Sequence, residues 1–326
     1  MLSRVADTLY WMSRYLERAE HTSLVVDVNL NLMLDQSPGA AGPRWERVLS
    51  ALRIIPPEGA DAASMAAGDP YSIARLLTFD TANRSSIVSC VATARENARQ
   101  ARELISSEMW EQLNRLFLRM KRSGVDDANW PAQPHDFYLA VREGTHMFQG
   151  VTHSTLGHDD CWHFIELGRY IERAGQLASL LDAHLKAPGN PGDPSLGTDH
   201  LEWVGLLKSC TAFEAYCKVY GADPDPDQIA EFLLLDAQFP HSIRFAVDRV
   251  QRALEAIALS SATQKADRLD RLAGRLRATL TYATIDELRA SGLQEVLADI
   301  QRQCGQIHTG IRQFYIAYPI ESALEA

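Results

Sequence analysis

The sequence lacks most of the features that would assign a function class at once. No apolar run approaches the roughly 18–20 residues that a membrane span needs, and the first twenty residues carry charges where a secretion signal needs an apolar stretch. The Walker A pattern, the glycine pattern of dinucleotide-binding proteins and the GxSxG of serine hydrolases are missing as well. We therefore expect a cytoplasmic protein that has no membrane span and uses no cofactor.

Cysteine is scarce, and its spacing argues against a metal centre. The number of cysteines is odd, none forms a CxxC pair, and all lie in apolar stretches of helical spacing: Cys90, Cys161, Cys210, Cys217 and Cys304. Buried free thiols are the simplest interpretation. His163 and Glu166 have the spacing of two metal ligands on one helix. Their counterparts in the repeat described below are Thr8 and Trp11, so we predict no metal site.

Positive charge is in deficit. Lys and Arg number 32 against 42 Asp and Glu, which gives a net charge of −10. Such a chain repels a phosphate backbone, which argues against a broad nucleic-acid surface and leaves only a local basic cleft open. The length of 326 residues and the apolar content of 46% are those of a globular protein with one large domain or two ordinary ones.

Strand patterns are also absent, whereas helical spacing runs through nearly the whole chain. Leu, Ala, Arg, Glu and Gln are frequent, and apolar residues recur three and four positions apart. Pro240 should kink or split the helix in which it lies. We predict an all-α fold with helices at about 2–35, 45–55, 71–78, 84–121, 135–152, 160–186, 200–219, 227–258, 266–282 and 285–316.

An internal duplication is the most informative feature that is present. The segment 14–27 matches 169–182 at six of fourteen positions, and 73–91 matches 229–247 at seven positions with nearly the same offset. Separate helices that converged would not keep their order and spacing. We therefore predict a duplicated helical bundle whose halves are related by a pseudo-twofold axis, with equivalent helices facing each other. The two predicted repeats pack together as one unit: residues 1–155 and residues 156–326.

Each repeat carries an arginine–glutamate stripe on one long helix. On a helical wheel the charged residues share one face, opposite the apolar side: Arg14, Glu17 and Arg18 in the first repeat, and Arg169, Glu172 and Arg173 in the second. Arg14 and Glu17 are spaced to touch within their helix. The stripe can be a solvated face with surface ion pairs, a structural clamp between the repeats, a site for an anion, or a catalytic site with Glu17 or Glu172 as general base. Arginine suits bidentate binding of a carboxylate or phosphate, which favours the anion site over a solvated face.

The remaining candidate binding residues lie on the first stripe and in repeated loops. Trp11 shares the polar stripe of the first helix. In each repeat an aspartate follows an apolar run and precedes a serine by six residues: Asp80 with Ser86, and Asp236 with Ser242. These pairs fit either helix capping or a repeated polar site.

The residues around both stripes resemble the alpha-E family, an all-helical bacterial family named for its Glu-Arg motif. The resemblance rests on the segments 2–6, 9–20 and 157–174, and it covers essentially the whole chain. Ser13 departs from the family's usual glycine, which the second copy keeps as Gly168. This departure implies slightly less close helix packing at Ser13.

Membership of that family implies a genomic setting and not a known reaction. Its proteins are typically encoded beside, or fused to, a circularly permuted ATP-grasp protein, and transglutaminase-like and proteasome-like peptidases are frequent neighbours. The resemblance thus implies a helical accessory or substrate-binding component of an ATP-grasp-dependent system that forms peptide or amide bonds. The implied partners are an ATP-grasp ligase and a transglutaminase-like peptidase. A stand-alone enzyme of acyl or aminoacyl transfer and a purely structural interaction protein remain the alternatives.

Overall fold

The chain folds into helices joined by loops. The computed structural model describes residues 3–34, 41–55, 65, 71–122, 130, 133–186, 196–261 and 267–316. These ranges contain no strand, so the predicted all-α class is confirmed. None of the helices in them has the length and apolar character needed to cross a bilayer. The helices are α1 (Ser3–Leu34), α2 (Ala41–Leu52), α3 (Ser72–Thr78), α4 (Ile87–Gln100), α5 (Ser107–Arg122), α6 (Pro134–Thr155), α7 (Asp160–Lys186), α8 (Leu196–Ser209), α9 (Phe213–Tyr220), α10 (Pro226–Leu235), α11 (Ile243–Ser261), α12 (Asp267–Tyr282), α13 (Ile285–Ala290) and α14 (Leu293–Ile311), which continues into a π-helical turn (Arg312–Ile316).

The long helices α1 and α7 occupy the middle of the bundle. Apolar residues such as Leu9 and Leu167 are buried, and polar positions such as Glu17, His21 and Glu172 are buried as well. A surface helix would expose its polar stripe to water. The glutamates of the arginine–glutamate stripes on α1 and α7 therefore lie within the protein.

The two central helices approach closely where Gly168 of α7 faces Tyr10 and Ser13 of α1. A Cβ atom on Gly168 would lie 2.2 Å from the Tyr10 carbonyl oxygen and 3.3 Å from the Cβ of Ser13. Only glycine fits at position 168, because any side chain would collide with backbone. Ser13 lies directly against Gly168, so glycine on one of the two helices is enough for the close approach.

The surrounding helices interleave the N-terminal and C-terminal parts of the chain. α1 packs against α4, α6 and α8 in addition to α7, and α7 packs against α11, α14 and α2 in addition to α1. α2 follows α1 in the chain but packs mostly against α7, whereas α8 follows α7 but packs mostly against α1. The first and second parts of the chain thus share one core.

Three predicted helices are shorter than expected because turns interrupt them. The predicted helix 84–121 divides into α4 and α5, where Ser106 caps α5 by accepting a backbone hydrogen bond at 3.1 Å. Thr211 (φ 50°) follows α8, and Gly292 (φ 85°) separates α13 from α14. Left-handed residues of this kind end helices. The predicted break at Pro240 is confirmed, since α10 ends before it and α11 begins after it.

Candidate functional site

Glu172 of α7 is held by two arginines of α1. Arg14 donates from Nε to Oε2 at 2.7 Å, and its Nη2 lies 2.6 Å from the same oxygen. Arg18 donates from Nε to Oε1 at 2.7 Å. Both carboxylate oxygens of Glu172 are therefore bound by guanidinium groups.

Glu17 of α1 is held in turn by arginines of α7. Arg173 forms a bidentate pair with it, from Nε to Oε1 at 2.5 Å and from Nη2 to Oε2 at 2.9 Å. The Nε of Arg169 lies 3.7 Å from Oε2. Each glutamate is thus paired with arginines of the opposite helix. The contact expected within one helix, Arg14 with Glu17, is replaced by a contact between helices.

These ion pairs are shielded from solvent. The side chains of Glu17, Glu172 and Arg173 are 4%, 7% and 2% exposed, and those of Arg14 and Arg18 are 14% and 23% exposed. A solvated face is therefore excluded. A clamp between the helices and an anion site are both compatible with this burial. Removing one partner of a buried pair typically costs about 3–5 kcal/mol, because the other charge stays buried without compensation.

The two glutamates differ in their affinity for a proton. Burial by itself raises the pKa of Glu172, but the charges and hydrogen bonds of its two arginines outweigh burial and hold the pKa at about 2. At Glu17 burial prevails over the attraction of Arg173, and the neighbouring Glu20 carboxylate adds repulsion, so the pKa of Glu17 is raised. Glu172 is thus ionised at neutral pH and stays so down to strongly acid conditions, whereas Glu17 is the carboxyl group that more readily takes up a proton.

Glu20 fills the space next to Glu17. It is 2% exposed and accepts hydrogen bonds from His146 Nε2 at 3.0 Å and from Gln149 Nε2 at 2.8 Å. Burial opposes its ionisation, but the hydrogen bond from His146 lowers the pKa of Glu20 to about 2. The position offset by 155 on α7 is Gly175, where a Cβ atom would meet nothing within 4 Å. The same place on the two helices is therefore occupied on α1 and open on α7.

A cavity of about 360 Å³ opens beside Glu172, and we call it the arginine cavity. α1 contributes Arg14 and Arg18 to its wall, the end of α2 contributes Arg53, and α14 contributes His308. Among the lining residues that the structure describes, three guanidinium groups thus face one carboxylate, in a chain whose net charge is −10. A cavity of this size holds a small organic ligand, and guanidinium groups in it favour carboxylates and phosphates.

Arg53 is a residue of the arginine cavity that sequence reasoning misses. It follows α2 in a left-handed conformation (φ 55°) that favours glycine. Its exposed side chain reaches α7 and α14, donating to Ser179 Oγ at 3.3 Å and to Gln301 Oε1 at 2.8 Å. The prolines at 56 and 57 signal a nearby helix end. No pattern in the sequence shows where the Arg53 side chain points.

His308 is a second residue of this cavity that sequence reasoning misses. Its Nδ1 lies 2.9 Å from Arg14 Nη1 and 2.8 Å from the Tyr10 hydroxyl oxygen. Burial and the charges of Arg14 and Arg312 lower the pKa of His308 to about 4. The imidazole is therefore neutral at neutral pH, with Nδ1 as the acceptor and the proton on Nε2.

A second cavity of about 240 Å³ lies beside Glu17, and we call it the balanced cavity. Its charged lining residues are two glutamates and two arginines: Glu17, Glu166, Arg169 and Arg249. Glu166 Oε2 accepts a hydrogen bond from Arg249 Nη2 at 2.8 Å, and Glu166 Oε1 lies 3.7 Å from Arg169 Nη1. Among the described lining residues the glutamates and arginines are equal in number, so this cavity has no surplus of cations for an anion.

Trp11, a predicted binding residue, supports an arginine and lines neither cavity. The guanidinium carbon of Arg14 lies 4.6 Å from the centre of the indole ring. This cation–π contact adds to the ion pair between Arg14 and Glu172 in holding the guanidinium group.

The predicted aspartate–serine pairs shape two loops outside the cavities. Asp80 and Asp236 each accept a hydrogen bond at 2.8 Å from the backbone N–H two residues on. Ser86 and Ser242 cap α4 and α11 by accepting from the backbone N–H three residues on, at 3.3 and 3.0 Å. None of the four lines either cavity, and their contacts are those of the capping alternative.

In the part of the chain that the structure describes, no group of three His, Cys, Asp or Glu side chains is placed to hold a metal ion.

Comparison with known proteins identifies the family. The model of the Alpha-E family, described as a predicted alpha-helical domain with a conserved ER motif, matches residues 1–316. The chain therefore belongs to the Alpha-E family. Its two Glu-Arg pairs, Glu17-Arg18 and Glu172-Arg173, form ion pairs between α1 and α7.

Its similar relatives come from mycobacteria and are longer. An uncharacterised protein of Mycobacterium bovis is 26% identical over 331 residues, which cover 95% of this chain and 36% of the relative. Two uncharacterised proteins from strains of Mycobacterium tuberculosis are 26% and 25% identical with the same coverage. The chain thus spans 36% of the length of these relatives. No solved structure matches it.

Proposed function

We propose that this chain is the substrate-binding accessory component of an ATP-grasp-dependent system that forms peptide or amide bonds. In this proposal the arginine cavity holds a carboxylate or phosphate group of the substrate. The observation that carries it is the charge of the cavity wall, where Arg14 and Arg18 share the single carboxylate of Glu172 and Arg53 adds a third cation. A wall with surplus guanidinium groups offers an anion charge-assisted hydrogen bonds and an opposite charge.

The proposal includes a duplicated architecture of two repeats, 1–155 and 156–326, about a pseudo-twofold axis. Three observations support it. The glutamate of each central helix pairs with arginines of the other central helix. The two aspartate–serine loops make matching hydrogen bonds. The helix that follows each central helix in the chain packs mostly against the other one: α2 against α7, and α8 against α1. The site would then lie between the repeats and not within either of them.

The proposed partners are an ATP-grasp ligase and a transglutaminase-like peptidase encoded nearby. These 326 residues contain no Walker A or dinucleotide-binding motif, so in this proposal the ATP-dependent step belongs to an ATP-grasp protein or domain. Its relatives have most of their length outside the matched region, which leaves room for further domains in those proteins.

Reconstitution with the neighbouring ATP-grasp protein tests the proposal. We expect the two chains to co-purify and ligase turnover to depend on this chain. Arg18→Gln should reduce that dependence because it removes a cation from the wall, and Gly175→Glu should abolish it because a carboxylate would fill the cavity. Arg302→Gln, a surface change on α14, is the matched control and should have no effect. A ligase that works equally well without this chain would leave a structural helical protein as the better description.

One observation favours an enzyme as the second candidate. Glu17 has a raised pKa and lines the balanced cavity, which are properties of a general base or acid. Glu172, with a pKa of about 2, is too weak a base for that role. Under this alternative Glu17→Gln abolishes an acyl-transfer turnover of the chain alone while Glu172→Gln reduces it only through stability.

A further inference from the structure

We infer that the arginine cavity is specific for a phosphoryl dianion on a small molecule, and that Arg53 is the residue that distinguishes it from a carboxylate. The inference rests on the proposed function and narrows it from either anion to one of them. It also assigns a binding role to a residue outside the Glu-Arg motif.

The balance of charge in the cavity supports a dianion. Inside, Arg14 and Arg18 hold one positive charge more than Glu172 neutralises. At the mouth Arg53 adds a second, and among the described residues its partners are neutral: the side chains of Ser179 and Gln301 and the carbonyl of Gly175. A carboxylate neutralises only one of the two surplus charges, whereas a phosphoryl dianion neutralises both.

The hydrogen-bonding groups of the wall also suit a phosphoryl group. The guanidinium groups come from two elements, α1 and the end of α2, and His308 of α14 carries a proton on Nε2. Donors from several directions match the three acceptor oxygens of a phosphoryl group better than the two of a carboxylate. Gln176 Oε1 and Gln301 Nε2, in side chains that line the cavity, are buried without a hydrogen-bond partner in the described ranges. Polar groups on the rest of the ligand would satisfy them.

Arg53 ends α2 in a left-handed conformation (φ 55°), as Thr211 does after α8 (φ 50°). Glycine is the favourable residue in this conformation at the end of a helix. Replacing Arg53 by glycine therefore removes the guanidinium group and relieves backbone strain at the same time.

Calorimetric titration of the full chain with methyl phosphate and with acetate, at about pH 8 where methyl phosphate is a dianion, tests the inference. We expect methyl phosphate to bind at least about tenfold more tightly than acetate. Arg53→Gln and Arg53→Gly should each weaken the binding of methyl phosphate more than the binding of acetate, and so remove most of that preference. Arg53→Gly relieves the backbone strain, so its thermal unfolding temperature should equal or exceed that of the wild type. Arg302→Gln should bind both ligands as the wild type does.

The outcomes separate this inference from the function on which it rests. Equal affinity for acetate and methyl phosphate, or a preference that survives both Arg53 variants, overturns phosphoryl specificity but leaves an anion site. Absence of saturable binding for both ligands in a folded protein overturns the anion site and the inference together. Loss of binding in Arg302→Gln shows an effect of surface charge and also overturns the inference.

Discussion

The two Glu-Arg pairs of the chain have the same residue types and opposite surroundings. Glu172 lies between two arginines beside the arginine cavity, and its pKa is about 2. Glu17 lies beside the balanced cavity with Glu20 as a buried neighbour, and its pKa is raised. The motif residues therefore form ion pairs between α1 and α7 in both places, whereas residues from other positions determine the charge state of each glutamate and the space beside it.

One pair of positions accounts for much of the difference. Glu20 on α1 fills the space beside Glu17 and is fixed by His146 and Gln149. Gly175, at the corresponding place on α7, leaves that space open as part of the arginine cavity. A glutamate at position 20 thus fills the polar core beside Glu17, whereas a glycine at position 175 leaves a cavity beside Glu172. The comparison between the two pairs can be tested by perturbing each one separately.

Removal of Arg173 should have the largest effect. Arg173→Gln leaves the buried carboxylate of Glu17 with only the more distant Arg169, so we expect a loss of about 3–5 kcal/mol in the free energy of unfolding. Arg18→Gln leaves Glu172 with Arg14 and should cost about 1–2 kcal/mol. Urea denaturation of the two variants measures the difference. Equal losses would mean that the two pairs are energetically equivalent, contrary to their different surroundings.

Acidification should have the second-largest effect on stability, because it protonates Glu172 and so weakens its ion pair with Arg14 and Arg18. The pKa of Glu172 falls from 4.5 to about 2 on folding, so its contribution is complete above about pH 4.5 and is lost as the pH falls toward 2, up to about 3 kcal/mol. Stability of the wild type should decline more steeply between about pH 5 and pH 3 than that of Glu172→Gln. If the urea midpoints of the wild type and of Glu172→Gln fell in parallel over this pH range, the prediction would be wrong. Glu17 has the opposite sign, because its raised pKa gives stability that is lost as the pH rises through that pKa.

A methyl group at the helix crossing should have the smallest of the three effects and should act on both pairs. Gly168→Ala places a Cβ atom 2.2 Å from the Tyr10 carbonyl oxygen, so α1 and α7 must move apart at a cost of about 2 kcal/mol. Gly150→Ala is the matched control, because nothing lies within 4 Å of its Cβ and alanine favours the helix by up to about 1 kcal/mol. Thermal unfolding of the two variants gives the comparison. A Gly168→Ala protein as stable as the wild type would show that the crossing tolerates separation.

The all-α class and the residues of the central ion pairs could be predicted from the sequence, because periodicity and residue type are local properties. The partners of those residues could not. Arg14 is spaced to contact Glu17 within α1, and only the packing of α1 on α7 gives it Glu172 instead. Arg53 and His308 reach the same cavity from distant parts of the chain, and no spacing relates them to the motif.

Reciprocal pairing between α1 and α7 also limits how the polypeptide can be divided for expression. A fragment that stops before residue 156 contains Glu17 without Arg173, and the complementary fragment contains Glu172 without Arg14. Each truncated product would lack the arginines that pair with its glutamate in the full chain, and its own arginines would lack their carboxylate. Only recombination of the two fragments, or self-association of one that supplies the missing cations, would restore a native core.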